Sequence, residues 1–282
     1  MANTIRVEDD GLVCPEVGAW AEEKYRLMAM YATVFSTGMK NKWDERIYVD
    51  LYAGAGYSRV RETNTVLAAS PILALLVADP FDKYIFCEKK NELLAALKLR
   101  VAKTAPAAKV SFVLGDCNQR VDEICKEIPV GSPQRKVLTL CFVDPFNIGI
   151  KFQTLRRLSS RRVDFLVLLA VYMDANLNYP LYTTEESRKI DEFLGYNGWR
   201  SAWTKAQQKR VPFPKFLARQ FAERMETLGY LPQELYNMKL VRSDENHPLY
   251  YLALFSRHKL AYSFWKDVLS YSTSQPRLPG MS

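Results

Sequence analysis

The chain has 282 residues, 48% of them apolar and 25% charged, a composition that supports a packed core and excludes disordered or fibrous chains. Its formal net charge is +8. Residues 1–150 balance their charges, so the whole excess lies beyond residue 150, as either a polyanion-binding face or a solubility surface would place it.

Trp20, Lys24, Leu27, Met28, Tyr31, Val34 and Phe35 follow helical spacing, and Ser36-Thr37-Gly38 is expected to end that helix. A strand over 47–52 runs into Ala53-Gly54-Ala55-Gly56, and Ser70-Pro71 starts a helix with Ser as its cap. Strands then alternate with helices. Strands are expected at 83–87, 109–114, 137–143 and 163–172, and helices at 91–103, 121–128 and 152–158. Residues 183–228 read as largely helical, with breaks near Gly195-Gly198 and at Pro212 and Pro214. Strands over 235–241 and 249–256, joined at Ser243-Asn246, form a hairpin, and a helix over 261–269 precedes a polar tail. Alternation of this kind, with nearly continuous apolar strands, predicts an α/β fold built on a parallel sheet.

The longest apolar run, Phe165 to Met173, is far shorter than the ~18 residues of a membrane span. The N-terminus carries Arg6, Glu8, Asp9 and Asp10 with no apolar signal core. A cytoplasmic protein without membrane contact is expected, its five cysteines reduced. With only His247 and His258, a multi-histidine metal centre is excluded and a Ser-His-Asp hydrolase is a poor fit, so no metal is expected.

An acid follows or ends each of the first four long strands: Asp50, Glu88, Asp116 and Asp144. In a doubly wound sheet these ends surround the ligand crevice, so the four carboxylates are expected to converge in an acidic notch. Gly54-Ala55-Gly56 permits close backbone approach, yet Arg59 stands where a dinucleotide fingerprint needs its third glycine, and no Gly-Lys-Ser/Thr follows.

The stretch Asp50-Leu51-Tyr52-Ala53-Gly54-Ala55-Gly56 resembles the first motif of class I S-adenosylmethionine-dependent methyltransferases. The resemblance implies a Rossmann-like sheet of about seven mostly parallel strands, with an antiparallel C-terminal hairpin and a helical insertion. It implies S-adenosyl-L-methionine as cofactor. Asp50, Ala53, Gly54 and Gly56 would lie by its methionine part, Glu88 by the ribose, and Asp116 with Cys117 by the adenine. Asp144-Pro145-Phe146-Asn147 partly matches the motif of amino-methylating members, with Asp144 as amine acceptor and Phe146 as stacking ring.

A further resemblance is to the three-Cys-motif partner proteins, a family of methyltransferase-like proteins of bacteria and phages. It rests on residues 17–25, the glycine loop, Ala69-Ser70-Pro71 and Phe142-Val143-Asp144-Pro145-Phe146, and implies a Cys-motif protein as partner. Residues 1–44 would form a helical extension, 45–270 the methyltransferase-like domain with 174–230 as inserted substrate region, and 271–282 a flexible tail. Nucleic acid is the expected substrate. Lys24, Arg156, Arg157, Arg200, Lys209 and Arg210 are the candidate contacts, the last three interleaved with aromatic residues as on stacking surfaces. A methyltransferase of small molecules or proteins, and a non-catalytic partner module, remain open.

Overall fold

Apolar strands need cover on both faces, and the chain supplies it with two helical layers. The computed structural model describes residues 5–273. In chain order the elements are β1 (Glu16–Val17), α1 (Ala21–Met39), β2 (Glu45–Asp50), β3 (Tyr57–Val60), β4 (Val66–Ala68), α2 (Ser70–Leu75), β5 (Lys83–Glu88), α3 (Asn91–Thr104), β6 (Val110–Leu114), α4 (Cys117–Glu127), β7 (Val137–Val143), α5 (Phe152–Leu158) and β8 (Val163–Leu169). A π-helical turn (Val171–Asn176) leads into the insertion: α6 (Tyr179–Tyr182), α7 (Lys189–Leu194), α8 (Trp199–Gln208) and α9 (Phe213–Glu226). The chain continues through β9 (Lys239–Arg242), β10 (Pro248–Phe255) and α10 (Lys259–Thr273). The expected tail begins as the last residues of α10, and its remainder lies outside the described residues.

The seven-stranded sheet has the order β6-β5-β2-β7-β8-β10-β9. All neighbours are parallel except those of β10, which is antiparallel to both β8 and β9. This is the expected α/β fold with a C-terminal hairpin and an insertion between β8 and β9. From β2 the chain proceeds outward through β5 and β6, then returns to place β7 on the other side of β2. The carboxyl ends of β2 and β7 therefore flank the topological switch point, where the crevice of such a sheet opens.

Strand alternation divides the core. Ile47, Val49, Cys141, Val143, Phe165 and Val167 pack with α4, α5 and the insertion, while Tyr48, Leu140, Phe142, Leu166 and Leu168 pack with α1, α2, α3 and α10. Residues 1–44 thus contribute α1 to one layer of the sandwich. All five cysteines are free, four of them buried. No described helix is long and apolar enough to cross a membrane.

Several boundaries differ from expectation, each for a tertiary reason. Helix α1 runs through Ser36-Thr37-Gly38 to Met39. Ser36 donates to the Asp79 carbonyl, and Gly38 leaves room where α10 crosses, since a Cβ there would lie 2.6 Å from the Phe264 ring. Ala69, not Ser70, occupies the cap position of α2, and Ser70 turns its hydroxyl to Asp50. Helix α4 begins at Cys117, four residues early, because Asp116 caps it by accepting from Asn118 N. Strand β8 ends at Leu169, where the chain coils into the π-helical turn, and residues 235–237 form a 3-10 turn before β9. A small sheet of order β1-β3-β4 was not anticipated.

That small sheet and the N-terminal arm are tied down by one buried cation. Arg100 on α3 is 2% exposed; it binds both oxygens of Asp10 (2.6 and 2.8 Å) and the carbonyls of Val13 (3.0 Å) and Ala55 (2.8 Å), and lies over the Tyr57 ring. Removing one partner of such a pair leaves a charge and several carbonyls unmet. Arg100→Met is expected to destabilise the fold by about 3 kcal/mol in denaturant unfolding; a change below about 1 kcal/mol would contradict this role.

Candidate functional site

The ends of β2, β5, β6 and β7 meet in a cleft of about 680 Å³ whose wall includes Ala53, Gly54, Glu88, Asp116, Cys117, Asp144 and Phe146. The glycine loop follows β2. Leu51 N donates to Phe142 O (3.1 Å) and Ala53 N to Cys87 O (2.9 Å), so both neighbouring strands hold it. Gly54 has φ +61°, a conformation that suits glycine, and no atom lies within 4 Å of where its Cβ would be. Its N–H donates to Glu88 Oε2 (2.9 Å), while Glu88 Oε1 accepts from Lys90 N (2.8 Å). Glu88 is thus fixed by backbone donors on both oxygens, and each oxygen retains a lone pair for a ligand. Gly56 serves packing instead: a Cβ there would lie 2.9 Å from Leu97.

Beside Glu88, Asp116 caps α4 and pairs with Lys89 (3.3 Å). Burial raises its carboxyl, but the hydrogen bond from Asn118 N and the Lys89 ammonium outweigh that and hold it below the ordinary range. The buried Cys117 thiol is pushed up to about 11 by burial, against a hydrogen bond with Tyr52, so it stays protonated at neutral pH. Asp50 lies behind the loop. It is fully buried and accepts from Tyr52 N (3.1 Å), the Tyr48 hydroxyl (3.4 Å) and Ser70.

Across the cleft Asp144 pairs with Lys24 of α1 at 2.6 Å, both side chains being about nine-tenths buried. Burial opposes the lysine's charge, yet the adjacent carboxylate prevails and holds its ammonium above the ordinary range. The loop after Asp144 is clamped from two sides. Asp174, in the π-helical turn, accepts from Ile148 N (2.7 Å), Asn178 (2.8 Å) and the Tyr182 hydroxyl (2.9 Å). Asn118 donates to Gly149 O (3.0 Å) and accepts from Lys151 N (2.9 Å). Phe146, at the tip, is 74% exposed.

Of the six candidate substrate contacts, the cleft wall contains Lys24 alone. Arg156 and Arg157 sit late in α5, on another surface, with Arg157 paired to Asp122 at 2.5 Å. Arg200 is engaged by Asp191 (2.6 Å) and by the carbonyls of Thr184 and Ser187, over the Trp199 ring. Lys209 and Arg210 are exposed beyond α8, away from the cleft. Trp199, Trp203 and Phe213 of the same segment are core residues.

The expected acidic notch is corrected by this wall. Its acids, Glu88, Glu92, Asp116, Asp144 and Glu192, are matched by Lys24, Lys89, Lys90, Lys151 and Lys189. Glu88, Asp144 and Lys24 lie deepest, and Lys89, Lys90 and Lys151 are exposed at the rim. The sequence reading missed those rim lysines, as well as Asn118 and Asp174.

No family model matches the chain, and no curated protein does. Among solved structures it is similar to the O-methyltransferase TomG from Streptomyces achromogenes, in complex with S-adenosylmethionine (11% identity over 89% of this chain and 92% of that one, TM-score 0.44). It is also similar to TYW2 from M. jannaschii, solved with the same compound (11%, 86% and 78%, TM-score 0.39), and to a protein from Legionella pneumophila (11%, 88% and 90%, TM-score 0.48).

Burial pushes the Asp50 carboxyl up to about 7, against hydrogen bonds from Ser70 and Tyr52 N and aided by Asp144 and Glu88. The folded chain keeps a proton there that the unfolded chain, at 3.8, has already lost. The stability this contributes is complete below pH ~4 and disappears as pH rises through about 7. In denaturant unfolding, Asp50→Asn is therefore expected to lose less stability between pH 5 and pH 8 than the wild type. The buried Asp164, raised to about 7 chiefly by burial, accounts for a remaining part of the decline. Equal losses in both proteins would refute the assignment.

Proposed function

We propose that this chain is an S-adenosylmethionine-dependent methyltransferase acting on nucleic acid, with an amino group of a base as the favoured acceptor. One observation carries the reading: Gly54, Glu88, Asp116 and Asp144 line a single cleft at the switch point of the sheet. The donor set fits the cofactor. Glu88 offers two fixed acceptor oxygens to a ribose diol, and the backbone at Gly54 allows close approach by the aminoacyl part. When bound, the cofactor supplies a methyl group on a positively charged sulfur.

The chain's own residues present the acceptor. Lys24 engages Asp144 through Oδ2, so Oδ1 is available to accept a hydrogen bond from an amine and to aim the amine's lone pair into the cleft. Phe146 offers a flat apolar face at the mouth for a base turned out of its stack. Asp174 and Asn118 hold that loop in place, and catalysis is chiefly this positioning. Of the lysines in the wall, Lys89 pairs with Asp116 and Lys151 with Glu192 (2.8 Å), while Lys90 at the rim and the half-buried Lys189 suit phosphates, and this favours nucleic acid over a neutral small molecule.

Isothermal titration with S-adenosylmethionine and tritium transfer into nucleic acid and fractionated cell extract test the reading. Glu88→Ala is expected to weaken cofactor binding at least about tenfold, the scale of losing a charge-assisted hydrogen bond. Asp144→Ala should abolish transfer while leaving cofactor affinity within about twofold. Phe146→Ala should raise KM for nucleic acid by roughly tenfold, the scale of one base–aromatic stack. Absence of cofactor binding would remove the enzyme reading. Binding with no transfer to any fraction would leave a partner module.

A further inference from the structure

A second cavity, of about 510 Å³, opens at the amino-terminal ends of β7 and β8. The cleft lies at the carboxyl end of the same β7, so seven residues of strand, about 20 Å, separate the two. The wall of this cavity includes Arg135, Lys136, Arg161 and Arg162 and no carboxylate. Arg135 is already satisfied by Glu45. Two residues of the wall each carry a buried side-chain donor without a hydrogen-bond partner among the described residues: Thr139, at Oγ1, and Arg161, at Nε. Buried donors are rarely left unmet, because each such group costs about 1–3 kcal/mol. An acceptor able to meet both, in a wall of cations, carries negative charge. Beside them Arg162 lies 5.6 Å over the half-buried ring of Trp43, which is also in the wall.

We propose that this cavity binds a nucleoside monophosphate, its phosphate on Arg161 and Thr139 and its base against Trp43. Phosphate suits the arginine fork and can serve several donors at once. The volume falls in the range of small-ligand sites. A duplex backbone is disfavoured as occupant because the two unmet donors are buried below the surface.

Isothermal titration with AMP, ribose 5-phosphate and inorganic phosphate tests this on the full chain. Wild type is expected to bind AMP, and ribose 5-phosphate more weakly because it lacks a ring for Trp43. Arg161→Gln should lower AMP affinity at least about tenfold and Thr139→Val several-fold, neither lowering the thermal melt of the ligand-free chain. Glu88→Ala, in the distant cleft, should leave the Arg161-dependent binding intact. The proposal fails if wild type does not bind AMP, or if binding survives both Arg161→Gln and Thr139→Val. It also fails if binding disappears in Glu88→Ala, which would place AMP in the cleft. Duplex DNA affinity that falls in Arg161→Gln without any AMP binding would assign the arginines to nucleic acid and overturn it too.

Discussion

The cleft depends on one carboxylate. Glu88 ends β5, yet its two oxygens accept from the N–H groups of Gly54, in the loop after β2, and of Lys90, before α3. It therefore sets the distance between the glycine loop and the end of β5, the two walls against which a ligand must lie. Because both donors are backbone groups, the arrangement needs no side-chain rotamer other than that of Glu88 itself. A carboxylate held this way, with one backbone donor on each oxygen, keeps a lone pair on each for a ligand, which a fully saturated acid would not.

Around that point the buried charges differ in how they are met, and the differences set their roles. Asp50 sits deeper, without a cation, and its environment favours the protonated form; it braces the loop from behind through Tyr52 N and Ser70. Asp144, less deeply buried, has Lys24 at 2.6 Å and stands at the cleft surface. Two acids from neighbouring strands thus meet different partners because α1 brings its lysine to one of them. A cation on α1, outside the glycine-loop motif, becomes part of the same site, which makes the N-terminal helix integral to the cleft rather than an appendage.

The sheet was legible in the sequence wherever the signal was local. The apolar run of β7 and the helix α5 lie where spacing put them, and Glu88, Asp116 and Asp144 converge because parallel strands must present their carboxyl ends on one edge, while the fourth acid, Asp50, is buried behind the glycine loop. What stayed hidden was non-local. Gly38 reads as a helix stop, but its missing side chain serves the crossing of α10 more than 200 residues later in the chain. Arg100 looks like any helical arginine until the N-terminal arm closes over it. Trp199 and Trp203 interleave with basic residues as a stacking surface would, yet their rings pack inward, and Arg200 is used up by Asp191 and two carbonyls. Composition cannot separate these cases, since an amphipathic helix carries the same residues whether its aromatic face meets a base or the core.

The insertion's part in the site follows from Asp174 rather than from its charge. This one side chain collects Ile148 N from the loop after β7 and the Asn178 and Tyr182 side chains from the start of the insertion. The chain leaves β8 in a π-helical turn, a geometry that accommodates one extra residue, and Asp174 lies within that turn. A regular helix would rotate each residue by a different angle and carry the carboxylate away from Ile148 N. The irregular turn is therefore what connects the four helices of the insertion to the exposed Phe146 loop. Any shift of the insertion on contact with a partner or substrate would reach that loop through this bond, and with it the carboxylate of Asp144 four residues before Ile148.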